Sequence, residues 1–216
     1  MDFGRSFTYF TADEEWIKKF AIAAVCALLP IIGTIPLFGY QVAIIREKLH
    51  GGASALPEWD FGQAFKDGIF AIIIGIVYAL PMILLFICAG GAGFGLAATG
   101  DETMVTAGLV VGGCLACLAL IVGVVTGLAT PMALARYADV GEIGPAFRVG
   151  EIIALVRNNI GGLLIVVIGY GLVLSIIISI GGSIGLILCG IGPFIAIAYA
   201  AIVISDGIAQ VYQKAQ

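Results

Sequence analysis

The chain has 216 residues, of which 61% are hydrophobic and only 11% charged, and its mean hydropathy is +1.15. Soluble domains carry roughly 25% charged residues, so this chain lacks the groups to coat a water-facing surface, and a cytosolic enzyme, a disordered chain or a collagen-like fibre is excluded. A net charge of −4 argues against nucleic-acid binding, which needs a basic stripe. The five cysteines all lie in apolar runs, unlike a secreted disulfide framework. No cleavable signal is evident, since acidic residues precede the first apolar run. What remains is a polytopic membrane protein.

The charges mark the spans. Phe20–Ile45 is uncharged, Arg46–Asp67 polar, and Gly68–Gly100 and Thr103–Ala135 are uncharged on either side of Asp101 and Glu102. Arg136–Asn159 is polar again, and Ile160–Ser205 then runs 46 residues without a charge. A spanning helix needs about 20 apolar residues, so this last run predicts two helices, with a turn at Gly181, Gly182 and Gly185. The ten basic residues can all lie on one side only if Phe20–Ile45 crosses an even number of times. Pro30 and Pro36 supply the break, because each removes a helical N–H, and two short helices are predicted near 12–29 and 37–50. The rival reading takes 20–45 as one kinked span, with five spans in all and an external N-terminus.

The expected fold is therefore all-α: a transmembrane bundle of three helical hairpins with short interfacial amphipathic helices. It is read as one membrane domain. Residues 1–50 hold an N-terminal amphipathic helix and the proline-broken hairpin, 60–135 the second hairpin, 143–206 the third, and 207–216 a cytoplasmic tail. The first hairpin is short, because 14 residues rise only about 21 Å, and it must be re-entrant, thin the bilayer or be shielded. Both termini are expected in the cytoplasm.

A weak repeat runs through the polar connectors. Phe61-Gly-Gln-Ala-Phe-Lys-Asp-Gly68 matches Ile143-Gly-Pro-Ala-Phe-Arg-Val-Gly150 in its Gly, Ala, Phe, base and Gly, and Arg46 with Gly51 echoes Arg136 with Gly141. Thr11-Ala-Asp-Glu14 fits a capping box, and Asp60-Phe-Gly-Gln63 a second helix start. Trp16, Lys18, Lys19, Trp59, Phe61, Phe65, Arg136, Phe147 and Arg148 are the expected interfacial anchors.

Phe7-Thr-Tyr9, Asp13-Glu-Glu-Trp16-Ile-Lys-Lys19, Leu29-Pro-Ile-Ile-Gly33 with Gly39-Tyr40, and Leu56-Pro-Glu-Trp-Asp60 with Phe61-Gly62 and Asp67-Gly68 resemble the DUF4013 family, bacterial and archaeal membrane proteins of unknown function. The resemblance is densest over residues 7–80. It implies a membrane fold and carries no catalytic residue with it.

Chemical motifs are sparse. Gly181-Gly-Ser-Ile-Gly185 has the spacing of a nucleophile elbow but sits between apolar helices, far from the only histidine, His50. Cys114-Leu-Ala-Cys117 lacks the second ligand pair that zinc requires. Gln41, Ser175 with Ser179, Thr126 with Thr130, and Tyr78, Tyr170 and Tyr199 could line a path for a neutral solute, or simply bond to helix carbonyls. The uncharged runs hold no ionisable residue of the kind that marks proton or ion pathways. Small residues dominate instead: Gly75, Gly108 and Gly112, Gly123 and Gly127, and Gly171 with Ser175 and Ser179 recur at spacings that let helices pack closely.

Three functions fit this pattern: a non-enzymatic structural or accessory subunit, a channel or transporter for a small neutral solute, and a membrane enzyme, which is the poorest match. The first is expected, in the cytoplasmic membrane, with the lipid bilayer, its own copies or a larger membrane complex as partners. No cofactor, metal or nucleic acid is expected.

Overall fold

The structure is a computed structural model and describes residues 5–29, 32–51, 56–187 and 191–216. Two 3-10 turns, Arg5–Phe7 and Tyr9–Ala12, precede α1 (Trp16–Leu28) and α2 (Thr34–Leu49). The long helices α3 (Phe61–Ala97) and α4 (Glu102–Val140) follow, then the short α5 (Ile143–Ala146) and α6 (Val149–Asn158). Next, α7 (Ile160–Leu164), a π-helical segment Ile165–Tyr170 and α8 (Gly171–Ile187) form one run, and α9 (Gly192–Ala215) closes the chain. The fold is all-α, with no strand among the described residues. Four segments are long and apolar enough to cross a membrane: Phe61–Leu96, Glu102–Val140, Ile160–Ile180 and Gly192–Ala215. The protein is multi-pass.

Local chemistry explains the starts of the two longest helices. The Asp60 carboxylate accepts from the backbone N–H groups of Gly62 and Gln63, at 2.9 and 3.1 Å, and opens α3. Asp101 does the same for Thr103 and Met104 at the head of α4. Both satisfy donors that have no partner within the helix. The copies of the repeat also end alike. Gly51, after α2, and Gly141, after α4, adopt left-handed backbone at φ 70° and 78°, a conformation that costs glycine little. Ala64 and Ala146, equivalent in the repeat, are both buried.

Four expectations are corrected. The capping box at Thr11–Glu14 does not form: Thr11 donates to the Thr8 carbonyl, and α1 begins at Trp16 after Asp13 has been drawn into tertiary contacts. Pro36 does not break a helix but lies in the first turn of α2, where a missing N–H costs nothing. Pro30 lies outside the described residues. The glycines at 181, 182 and 185 do not turn the chain; helix α8 runs through them to Ile187. Each interior glycine costs about 1 kcal/mol, less than an unsatisfied backbone group in an apolar surrounding. The new helix starts instead at Gly192, with Pro193 in its first turn. Finally, residues 207–216 are no tail: they are the last turns of α9, and Val211, Tyr212 and Ala215 are buried.

The chain forms two compact units, residues 1–74 with 131–216, and residues 75–130. In the second, α3 and α4 run antiparallel and close. A Cβ added at Gly108 would lie 2.9 Å from Leu96 Cβ, one at Gly112 3.0 Å from the Ala89 carbonyl, and one at Gly123 2.8 Å from the Met82 sulfur.

In the first unit, α1 and α2 fold back on each other. Cys26 and Ala27 on α1 share a cluster with Leu37 on α2 and with Ala198 and Ala201 on α9. At the other end Tyr9, Phe10, Tyr40, Ile44, Leu56 and Ile202 form a second cluster. Helices α2 and α3 touch backbone to backbone. A Cβ on Gly39 would collide with the Ala64 carbonyl, and one on Gly68 with the Ile35 carbonyl. Ile35 thus meets a residue only seven beyond the start of α3, so the α1–α2 pair extends about 10 Å along that helix.

Of the predicted packing glycines, Gly108, Gly112 and Gly123 lie in tight contacts, whereas a Cβ added at Gly75, Gly127 or Gly171 would meet no neighbouring atom within 4 Å. Gly39→Ala and Gly68→Ala should therefore destabilise by about 1–3 kcal/mol through overpacking, outweighing the helix-propensity gain of about 1 kcal/mol. Gly171→Ala should melt at or above the parent temperature. Thermal unfolding in mild detergent measures all three, and a Gly39→Ala protein as stable as the parent would refute the close crossing.

Candidate functional site

The polar residues of the first unit converge on the C-terminal end of α2. Arg46, Lys48 and His50 alternate there, and neighbours two apart on a helix point to opposite sides. A helix C-terminus also favours positive charge. Arg46 donates to the Asp67 carboxylate on α3 at 2.8 Å and to the Ala138 carbonyl on α4 at 3.3 Å. Lys48 pairs with Asp206 on α9 at 3.3 Å and sits 4.0 Å above the Tyr9 ring. His50 Nε2 lies 3.8 Å from Asp139 and is half exposed. One helix end thus ties α3, α4, α9 and the N-terminal turns together.

The two buried carboxylates are built alike. Asp67, 1% exposed, accepts from Arg46, from the Tyr137 hydroxyl at 2.5 Å and from Gln63 one turn earlier at 3.0 Å. Asp206, 5% exposed, faces Lys48 and accepts from the Ser6 hydroxyl at 2.5 Å and from Gln210 one turn later at 2.8 Å. Each carboxylate takes a base from α2, a hydroxyl from a distant segment and a glutamine from its own helix. A buried carboxylate unpaired would cost several kcal/mol; here both oxygens of each are engaged.

Two further clusters flank these. Lys19, 4% exposed, pairs with Asp13 at 3.1 Å and Glu58 at 3.2 Å and donates to the Leu56 carbonyl at 2.9 Å. Burial opposes ionisation of Asp13, yet hydrogen bonds from Lys19 and from the Glu15 and Leu56 backbone N–H groups outweigh it and hold its pKa below the usual carboxylate range. On the other flank the Arg136 guanidinium donates to the Tyr212 hydroxyl at 3.3 Å and to Glu151 at 3.4 Å, and Tyr212 donates to Asp139 at 3.0 Å.

This geometry redistributes the predicted anchors. Lys19 is buried, and the half-buried Trp59 and Arg136 make contacts between elements: Trp59 stacks on Tyr40 at 4.0 Å and donates to the Lys19 carbonyl. Lys18, Phe61, Phe65 and Arg148 are exposed, and Trp16 and Phe147 are half-buried. Ser175, Thr126 and Thr130 bond to carbonyls of their own helices, while Ser179 is exposed on α8. Cys114 and Cys117 are exposed on α4. Sequence reading missed Asp67, Asp206, Tyr137 and Lys48. The available signal was a glutamine four residues from each acid.

Two clefts lie beside α1 and both are apolar. One of about 420 Å³ is lined by Phe20, Ile177, Gly192, Ile195, Ala196 and Tyr199. The other, about 350 Å³, lies along Ala21, Val25, Leu29 and Phe61.

A family model described as a protein of unknown function, DUF4013, matches residues 22–190. The chain belongs to the DUF4013 family. No curated protein and no solved structure matches it. The DUF4013 match takes in Arg46, Asp67, Arg136 and Tyr137, and leaves Asp13, Lys19 and Asp206 outside. Of the segments that resemble the family, Phe7–Tyr9 and Asp13–Lys19 precede the matched range, and those from Leu29 onward lie within it.

Two outcomes follow. Asp67→Ala leaves Arg46, Tyr137 and Gln63 facing an apolar gap, and should cost about 3 kcal/mol, read as an earlier melt in detergent; a shift no larger than that of an exposed-site variant such as Glu14→Ala would contradict this. Because folding lowers the pKa of Asp13, its contribution is fully present above the unfolded value of about 3.9 and fades as pH falls through the lower folded value. Acidification below about pH 4 should therefore loosen the Lys19–Trp59 contact and shift tryptophan emission. Asp13→Asn should lack that transition, and an identical acid transition in both proteins would count against the link.

Proposed function

We propose that this DUF4013 protein is a non-enzymatic structural or accessory subunit of the cytoplasmic membrane, with both termini in the cytoplasm, that docks on a larger membrane complex or assembles with its own copies. The observation that supports it best is the saturation of its buried acids. Asp67 and Asp206 each have three partners, so neither is free to act as an acid, a base or an ion ligand without dismantling the bundle. Catalysis and ion coupling need groups that change protonation or partner during a cycle. A set of cross-helix locks serves a fixed scaffold instead, and the broad apolar flanks of α3, α4 and α8 are left to lipid or protein neighbours.

A channel or transporter for a small neutral solute is the second reading, favoured by one observation: the π-helical segment Ile165–Tyr170, a feature frequent at functional sites. The two are separated by experiment. Crosslinking in native membranes before mild solubilisation should capture a complex of fixed stoichiometry, with copies of the chain or with another membrane protein. Proteoliposomes should pass glycerol and urea no faster than protein-free vesicles. A monodisperse monomer that accelerates either flux would overturn the accessory reading. Reporter fusions at each terminus should both score cytoplasmic.

A further inference from the structure

The amphipathic helix α6 presents an exposed face whose chemistry identifies what covers it. Only Ile152 is buried on this ten-residue helix, and Asn159, at φ −141° and ψ 45°, breaks it from α7. Val149 and Ile153, one turn apart, are 55% and 44% exposed. Beyond the break Ile160, Leu164, Ile168 and Leu172 continue an exposed apolar stripe at four-residue spacing along a segment able to cross a membrane. On a regular α-helix such spacing drifts about 40° per step. The π-helical segment, with its i→i+5 bonds, adds residues per turn and offsets the drift, while Val166, Tyr170 and Leu174 stay buried on the other side. The exposed apolar residues of α6 thus lie, across the Asn159 break, directly before an exposed apolar stripe on a segment able to cross a membrane.

Charge completes the description. Arg148, directly before α6, has a side chain 63% exposed, and Arg157, in its last turn, is exposed and pairs with no acid among the described residues. The one acid of the helix, Glu151, is already held by Arg148 at 3.0 Å and Arg136 at 3.4 Å. Arg148, Glu151 and Arg157 together leave one positive charge in excess, unpaired at the Arg157 end, on a chain of net charge −4. Apolar residues on one face with cations at the boundary fit a helix lying in the headgroup plane.

We propose that α6 is an interfacial lipid-binding helix: Val149 and Ile153 insert at the acyl boundary, and Arg148 and Arg157 bind the phosphates of anionic headgroups. The full chain in nanodiscs of equal parts phosphatidylglycerol and phosphatidylcholine tests both halves. With the five native cysteines replaced, a nitroxide on Ile153→Cys should collide with oxygen more than with a water-soluble nickel chelate, and one on Ala154→Cys should show the reverse. Equal nickel access at both positions overturns the insertion. With native cysteines kept, lipid retained after purification should be enriched in phosphatidylglycerol. Arg148→Gln with Arg157→Gln should lower that enrichment by up to about fivefold per arginine, and the Lys pair should retain it. Both variants alter exposed side chains and should melt like the parent. Enrichment unchanged in the Gln pair overturns the headgroup contact.

Discussion

The first unit depends on one arrangement: two bases, two residues apart at the end of α2, each placed between helices against a buried carboxylate. Arg46 and Lys48 diverge because of helical geometry alone, so a single helix end serves Asp67 on one side and Asp206 on the other. Both acids are almost wholly enclosed, and neither is tolerable there without its base. The reach of Arg46 is set in turn by Gly39 and Gly68, which bring α2 and α3 to backbone contact. A side chain at either position would push the helices apart and lengthen the ion pair. Glycine packing and charge pairing are thus one constraint, which explains why a chain so poor in charge places so many of its charges at this end.

The N-terminal turns are held by the same set of contacts. Ser6 completes the Asp206 site, Tyr9 lies beneath Lys48, and Phe7 packs edge-on to Tyr170 at 5.2 Å. Tyr170 is the last residue of the π-helical segment, and its ring occupies the space a Cβ on Gly207 would need. Gly207 directly follows Asp206. The widened turn, the bare glycine and the buried acid therefore meet at one point, where the third long segment packs on α9.

How much of this was legible in the sequence divides along physical lines. The apolar runs, the helix start at Asp60 and the echo of Gly51 in Gly141 rest on composition and local backbone chemistry, and they could be read directly. The glycines at 181–185 misled because in water a glycine cluster suggests a turn, whereas an apolar surrounding penalises an open backbone more than it penalises glycine. Gly171 and Gly39 look alike in sequence, yet only Gly39 faces a neighbouring backbone. Which side of a helix meets another helix is a tertiary fact, and a four-residue spacing does not encode it. The charges flanking the spans were the largest omission. Lys19 borders an uncharged run and so reads as a headgroup contact, while Asp67 and Asp206 read only as the bounds of such runs; their partners lie 4 to 200 residues away in sequence.

The distribution of polarity bears on what such a bundle can do. At one end of the first unit Asp67 and Asp206 are held by ion pairs and hydrogen bonds, and among the described residues only Arg136 Nε is buried without a partner; along the sides, large apolar residues of α8 and both described clefts are open and carry almost no polar surface. Motion that opened that end would cost several kcal/mol for each buried pair separated. Contacts made along the apolar flanks require no such separation. The physical asymmetry therefore sets an end fixed by ion pairs against apolar flanks whose contacts can rearrange at little cost. Arg148 and Arg157 stand at the boundary between the two, and of these Arg157 is left unpaired among the described residues.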